Sequence, residues 1–211
     1  MTFDIKAFTD EVRKSVPIFR GKVSKTNYTG LVKAVDAGLG KVIVPIKNIN
    51  FNLTEPKWLQ IARTKIGRKE IVGRRHNSWI AKGWKRLGVG WFNDDETPWC
   101  GFFVADCLND VGLSYPKMFP RAKSFASWGK ASTPCLGAIV VFGRKGGGHV
   151  GYLVGENDKS YYVLGGNQKN MVSITPILKS RAIATRWPST ISNPDIDLPQ
   201  MSGGTISRNE A

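Results

Sequence analysis

Apolar residues recur along this chain with two periods, and the helical one comes first. Phe8, Val12 and Val16, with Ile5 nearby, predict a short amphipathic helix in 1–22 that Pro17 breaks. TNYTGLVKAVDAG (26–38) predicts a second, ending at Gly38, and KVIVPIKNINFNL reads as an extended connector. Two such helices bury little alone, so 1–53 reads as an accessory segment. TEPKWLQIARTKIG then sets Trp58, Ile61, Ala62 and Ile66 on one face, with Thr54 as a candidate N-cap and Pro56 in the first turn. HNSWIAKGWKRLG sets Ile80 and Trp84 on one face, with Asn77 or Ser78 as cap and Gly88 as the stop. A third helix is predicted in DDETPWCGFFVADCLNDVGL, with Thr97 as cap and Pro98 in the first helical position. Its apolar face is Phe103, Val104, Cys107, Leu108 and Val111. A short helical piece is expected around 125–128.

The pattern then shortens. GAIVVFG, HVGYLVGEN, SYYVLGG, MVSITPI and RAIATRW are short, β-branched and aromatic, and turn residues separate them. ENDKS between the second and third has hairpin-turn composition. Helices followed by a meander of roughly five antiparallel strands read as an α+β fold over 54–188. After Trp187 the chain turns polar and loses periodicity, so 189–211 reads as a flexible tail.

Composition narrows the partners. Hydrophobic residues at 41% and charged residues at 22% suit a globular domain with a core. A net charge of +15 favours a polyanion: nucleic acid, an anionic membrane face or an acidic wall polymer. No zinc-finger or RNA-binding signature supports the first beyond charge. Three cysteines without a C-x-x-C pair argue against a disulfide framework and a zinc site, and fit a reducing compartment. The N-terminal MTFDIKAFTDEVRK has no signal-peptide core, so the expectation is a chain made in the cytoplasm.

The candidate chemistry centres on Cys100. A cysteine in a first helical turn faces free N–H groups and the positive end of the helix dipole, which favour a thiolate and could hold an oxyanion. The other reading is a buried apolar cysteine, since the residues after it form a core face. Cys107 and Cys135 read as structural. Of two histidines, His76 stands beside two arginines and reads as surface, whereas His149 follows three glycines at a strand start. A thiol nucleophile needs such a base. If ENDKS closes an antiparallel hairpin, His149 lies opposite Asn167, whose amide could orient the imidazole. Asn167 also reads as a plain turn residue. Asp94, Asp95 and Glu96 either complement the helix end or bind a substrate ammonium.

TPWCGFFVA, GGGHVGYLVG and LGGNQ, in this order before RWP, resemble the CHAP/NlpC-type cysteine peptidases of peptidoglycan, in particular the phage endolysin-like branch. The resemblance spans residues 55–188. It implies a papain-like core, with Cys100 as nucleophile, His149 as base and Asn167 as the orienting residue. It further implies substrate contacts at Asp95, Glu96, Trp99 and Gly148, no cofactor or metal, and a monomer acting on the wall after release from the host cytoplasm. Many CHAP enzymes have a glutamate where this chain has Gly165, and NlpC-type enzymes often have an aspartate where it has Trp99. An endopeptidase is favoured slightly over an N-acetylmuramoyl-L-alanine amidase. The rivals are an interbacterial toxin that cuts the same polymer, and a non-catalytic wall-binding or virion structural protein.

Overall fold

In a computed structural model of the chain, the described residues are 55–210 apart from 74, 145 and 209. The two N-terminal helices, the connector and the Thr54 cap lie outside them. The described part is α+β. Three helices, α1 (Lys57–Thr64), α2 (Ser78–Arg86) and α3 (Cys100–Asn109), precede an open antiparallel sheet of six strands. The strands are β1 (Lys130–Ala131), β2 (Ile139–Arg144), β3 (Gly147–Glu156), β4 (Ser160–Gly165), β5 (Ser173–Leu178) and β6 (Ala182–Trp187). A 3₁₀ turn, Ala122–Ser127, stands where the short helical piece is expected.

The helix ends follow local chemistry, with two departures. Asn77 caps α2 by accepting from the Trp79 N–H, and Gly88 takes a left-handed φ of +84° just beyond it. Helix α3 does not start at a Thr97 cap. The Thr97 N–H and hydroxyl both turn to the Asp94 carboxylate, and the helix begins at Cys100 itself. Nor does α3 have one apolar stripe: every residue from Cys100 to Leu108 is buried, as in a helix enclosed on all sides. Asp106 is tolerated there because Lys65, Arg86 and the Trp79 indole all donate to it. Ile66, expected on the apolar face of α1, is exposed.

The sheet departs from a meander at its end. Strand order is β1-β6-β2-β3-β4-β5, so β6 crosses back to pair with β2 instead of adding beside β5. The sixth strand is the two-residue β1, too short to show in the sequence pattern. The ENDKS turn forms as expected, with Asn157 Oδ1 accepting from the N–H groups of Lys159 and Ser160. Helix α3 lies on β3, where Tyr152 Oη donates to the Val104 carbonyl at 2.8 Å. Trp58 locks α1 to the other end of the sheet, donating to the Gly137 carbonyl and meeting Trp187 edge-on at 5.0 Å.

The described residues after 188 do not hang free. Leu198 is buried, the Ile196 carbonyl accepts from Leu136, and Pro199 and Met201 bond to either side of Glu156. Further on, Tyr162 donates to the Gly203 carbonyl, and Ser207 forms a parallel bridge with Ile177 on edge strand β5. The segment lacks periodicity because it is a strap held by backbone bonds at scattered points, Leu136, Glu156 and Pro176, and not by a continuous ladder.

Candidate functional site

Cys100 is the first residue of α3 and His149 the third of β3. The two elements bring Cys100 Sγ against the backbone N–H of Val150, the residue after His149. Both side chains are enclosed, with 6% of Cys100 and 2% of His149 exposed. Among the described residues no hydrogen bond joins the thiol to the imidazole. Burial raises the thiol pKa, and it outweighs the Val150 and Gly101 N–H groups and the Arg144 charge that favour a thiolate. The helix end therefore does not by itself produce the thiolate that its position suggests. Burial also lowers the His149 pKa to about 4, against the Glu210 charge and the hydrogen bond to Gln168. The resting pair is a neutral thiol and a neutral imidazole.

The orienting amide on His149 comes from Gln168, with Nε2 and Oε1 3.1 Å apart. Its orientation is decided by its other end. Gln168 Nε2 donates to the carbonyls of Ser173 at 2.6 Å and Val163 at 3.2 Å, so Oε1 must face the ring. Oε1 can only accept, so His149 Nε2 carries the proton and Nδ1 is the basic nitrogen. Phe142 stacks beside the ring at 6.5 Å, directly across the β2–β3 ladder.

Asn167 is not on that nitrogen. The β3–β4 register, continued past its last pair, does set 167 opposite 149, since Tyr152 pairs with Leu164. Strand β4 ends at Gly165, however, and Asn167 takes a left-handed φ of 55° that turns its side chain out of the ladder. Its Oδ1 is buried without a partner among the described residues. Gly165 matters for the same contact. A Cβ there would lie 2.9 Å from His149 Nε2 and 2.8 Å from Gln168 Oε1, so a side chain would displace the amide.

The other expected contacts divide. Asp95 is fully buried and accepts from the N–H groups of Ile71 and Asn77 and from His76 Nδ1 at 2.9 Å. Burial pushes its pKa up, but these donors outweigh it and hold the carboxyl below its usual range. That carboxylate is fully used in tying the 71–77 segment to the start of α2, and it is not open to a substrate. The same bond makes His76 a partner of Asp95 and raises its pKa. Glu96 is exposed. Trp99 is buried, and its indole N–H donates to Glu70 Oε1 at 2.7 Å. Gly148 has no space for a side chain between the Phe142 carbonyl and Lys123.

Three participants were missed in the sequence: Gln168, Glu70 and Glu210. Glu210 is buried, paired through both oxygens with Arg181 at 2.7 and 2.9 Å, and its charge acts on His149. Its carbonyl accepts from Lys169, next to Gln168. Only the GGNQKN run carried a signal, as a turn that ends the strand alternation before Asn167.

The described residues contain no group of acidic, histidine and cysteine side chains arranged to hold a metal ion, and no helix long and apolar enough to cross a membrane. No family model, curated protein or solved structure matches this chain.

Proposed function

We propose that the chain is a peptidoglycan hydrolase with a papain-like core, which cuts an amide of the wall peptides through Cys100 and His149. The observation that carries the reading is the meeting of α3 and β3. The Cys100 thiol heads a helix and touches the backbone beside His149, whose Nε2–H is held by Gln168. This supports a Cys-His-Gln arrangement, with Gln168 in the orienting role first read onto Asn167.

The chemistry follows from the protonation states. His149 Nδ1, the basic nitrogen, takes the thiol proton as sulfur attacks the peptide carbonyl, because neither group is charged at rest. The first free N–H groups of α3 face the oxyanion that forms. The imidazolium, steadied by Gln168 and the Glu210 charge, returns its proton to the leaving amine. Water then hydrolyses the thioester, with the same imidazole as base. The basic surface draws the chain to an anionic wall. Release into the wall of a host cell at lysis fits this setting, and cleavage within the stem or cross-link is favoured over the lactyl–alanine bond.

The burial of Cys100 and His149 favours a second reading, in which the pair is a packed remnant and the chain binds the wall without cutting it. Digestion of purified sacculi by the wild type and by Cys100→Ala, with released fragments read by mass spectrometry, separates the two. Fragments from the wild type alone support hydrolysis, and their new termini identify the bond. Binding to sacculi without fragments from either protein supports the second reading.

A further inference from the structure

Beside the candidate site two segments close on a recess of about 360 Å³. Residues 67–70 run against 170–172, held by the Lys69–Met171 bridge and by bonds from Glu70 N to the Asn170 carbonyl and from Val172 N to the Arg68 carbonyl. One segment is tied to Cys100 through Trp99, whose indole holds Glu70. The other follows directly from Gln168. The recess therefore shares both of its walls with the catalytic elements.

Its lining has three chemistries. Glu70 supplies a carboxylate with Oε1 on Trp99, and no hydrogen bond among the described residues engages its Oε2. Lys69 and Lys169 supply two exposed ammonium groups. Ile71, Val72 and Met171 supply apolar surface. The wall at 167–170 turns through left-handed backbone. Asn167, Lys169 and Asn170 all have φ between 54° and 61°, a region that a lysine side chain disfavours.

We infer that this recess binds a zwitterionic end group, an ammonium and a carboxylate on one carbon at the tip of a short methylene arm. Glu70 takes the ammonium, Lys69 and Lys169 take the carboxylate, and the apolar rim covers the methylenes. Among wall-peptide residues the diaminopimelate side chain has this form, whereas lysine has the ammonium alone. The inference rests on the hydrolase reading for its choice of ligand. Glu70 is linked to the residue next to Cys100 by the Trp99 indole bond at 2.7 Å, so the recess lies along the Cys100 helix end. The acid that supplies the ammonium contact is thus Glu70 and not Asp95.

The test is calorimetric binding to the full chain carrying Cys100→Ala, which prevents turnover. The probes are L-alanyl-γ-D-glutamyl-meso-diaminopimelate and the same tripeptide with L-lysine in third position. The diaminopimelate probe binds about tenfold tighter, and Glu70→Gln or Lys169→Met each removes about tenfold of that affinity. Glu70→Gln keeps a carbonyl for the Trp99 indole, and unchanged melting temperatures in both variants separate a lost contact from lost folding. Equal affinity for the two probes, or full affinity in both variants, overturns the inference. Sacculus digestion by the wild type reports on hydrolysis independently. Digestion without probe discrimination sinks the recess alone, and discrimination without digestion sinks hydrolysis alone.

Discussion

Gln168 Oε1 lies 3.1 Å from His149 Nε2, and the same amide's nitrogen is held by two main-chain carbonyls. The amide is clamped at both ends, so it fixes the ring's tautomer as well as its angle.

Replacing that amide separates the two neighbouring candidates. Under the proposed hydrolysis, Gln168→Ala lowers kcat on isolated wall peptides by roughly ten- to a hundredfold with little change in KM, because a misdirected base loses the reactive geometry. Asn167→Gly, which relieves a left-handed φ and removes an unpartnered buried oxygen, leaves the melting temperature unchanged or higher. Steady-state kinetics and thermal melts on both variants decide whether 168 or 167 serves the ring.

Acid should weaken the fold through His149. Its imidazole is neutral in the folded chain down to about pH 4 but ionises in the unfolded chain below its ordinary value of 6.5. Protons therefore bind the unfolded state preferentially as pH falls across this window, and stability declines by on the order of 3 kcal/mol. Glu210 and Asp95, with lowered carboxyl pKa values, begin to lose their contributions as pH falls through their ordinary values of 4.5 and 3.8. Urea melts from pH 7.5 to 4 should show the decline, and His149→Gln should flatten its upper part. On the same basis the acid limb of kcat/KM falls near pH 4 and not near 6.5.

A side chain at Gly165 should damage the site before it damages the fold. Gly165→Ala drives a methyl group into His149 and Gln168, so activity drops at least about tenfold while the circular dichroism spectrum is kept. Full activity in this variant would show that the imidazole–amide contact is dispensable.

Asp106 ties three helices together from inside α3. Its carboxylate is fully buried and meets Lys65 at 2.7 Å, with Arg86 and the Trp79 indole on its other sides. Asp106→Ala strands a buried lysine against Asp110 alone and should cost about 3 kcal/mol or more. At this domain size that is a fall in Tm of roughly 10 °C, measurable by calorimetry.

Much of this architecture was legible because burial imposes a period. The β2–β5 strands, the Asn157 turn and the Asn77 cap follow from alternation and short-range polar chemistry. What escaped has one common cause: backbone groups satisfied at long range leave no local pattern. The strap at 196–207 bonds to Leu136, Glu156 and Pro176, and Asp95 spends its charge on N–H groups near residue 71 and at residue 77. Gln168 replaced Asn167 for a related reason. Parity along a strand assigns faces only while the strand lasts, and β4 stops two residues short of Asn167.

All three cysteines are reduced and enclosed. Burial holds each thiol above its ordinary pKa, so each is largely in the form that oxidants and alkylating agents attack slowly. A chain built this way can meet peroxide or a disulfide-forming surrounding with no bond to make and none to lose. Its sulfur becomes reactive only when something brings solvent to the head of α3.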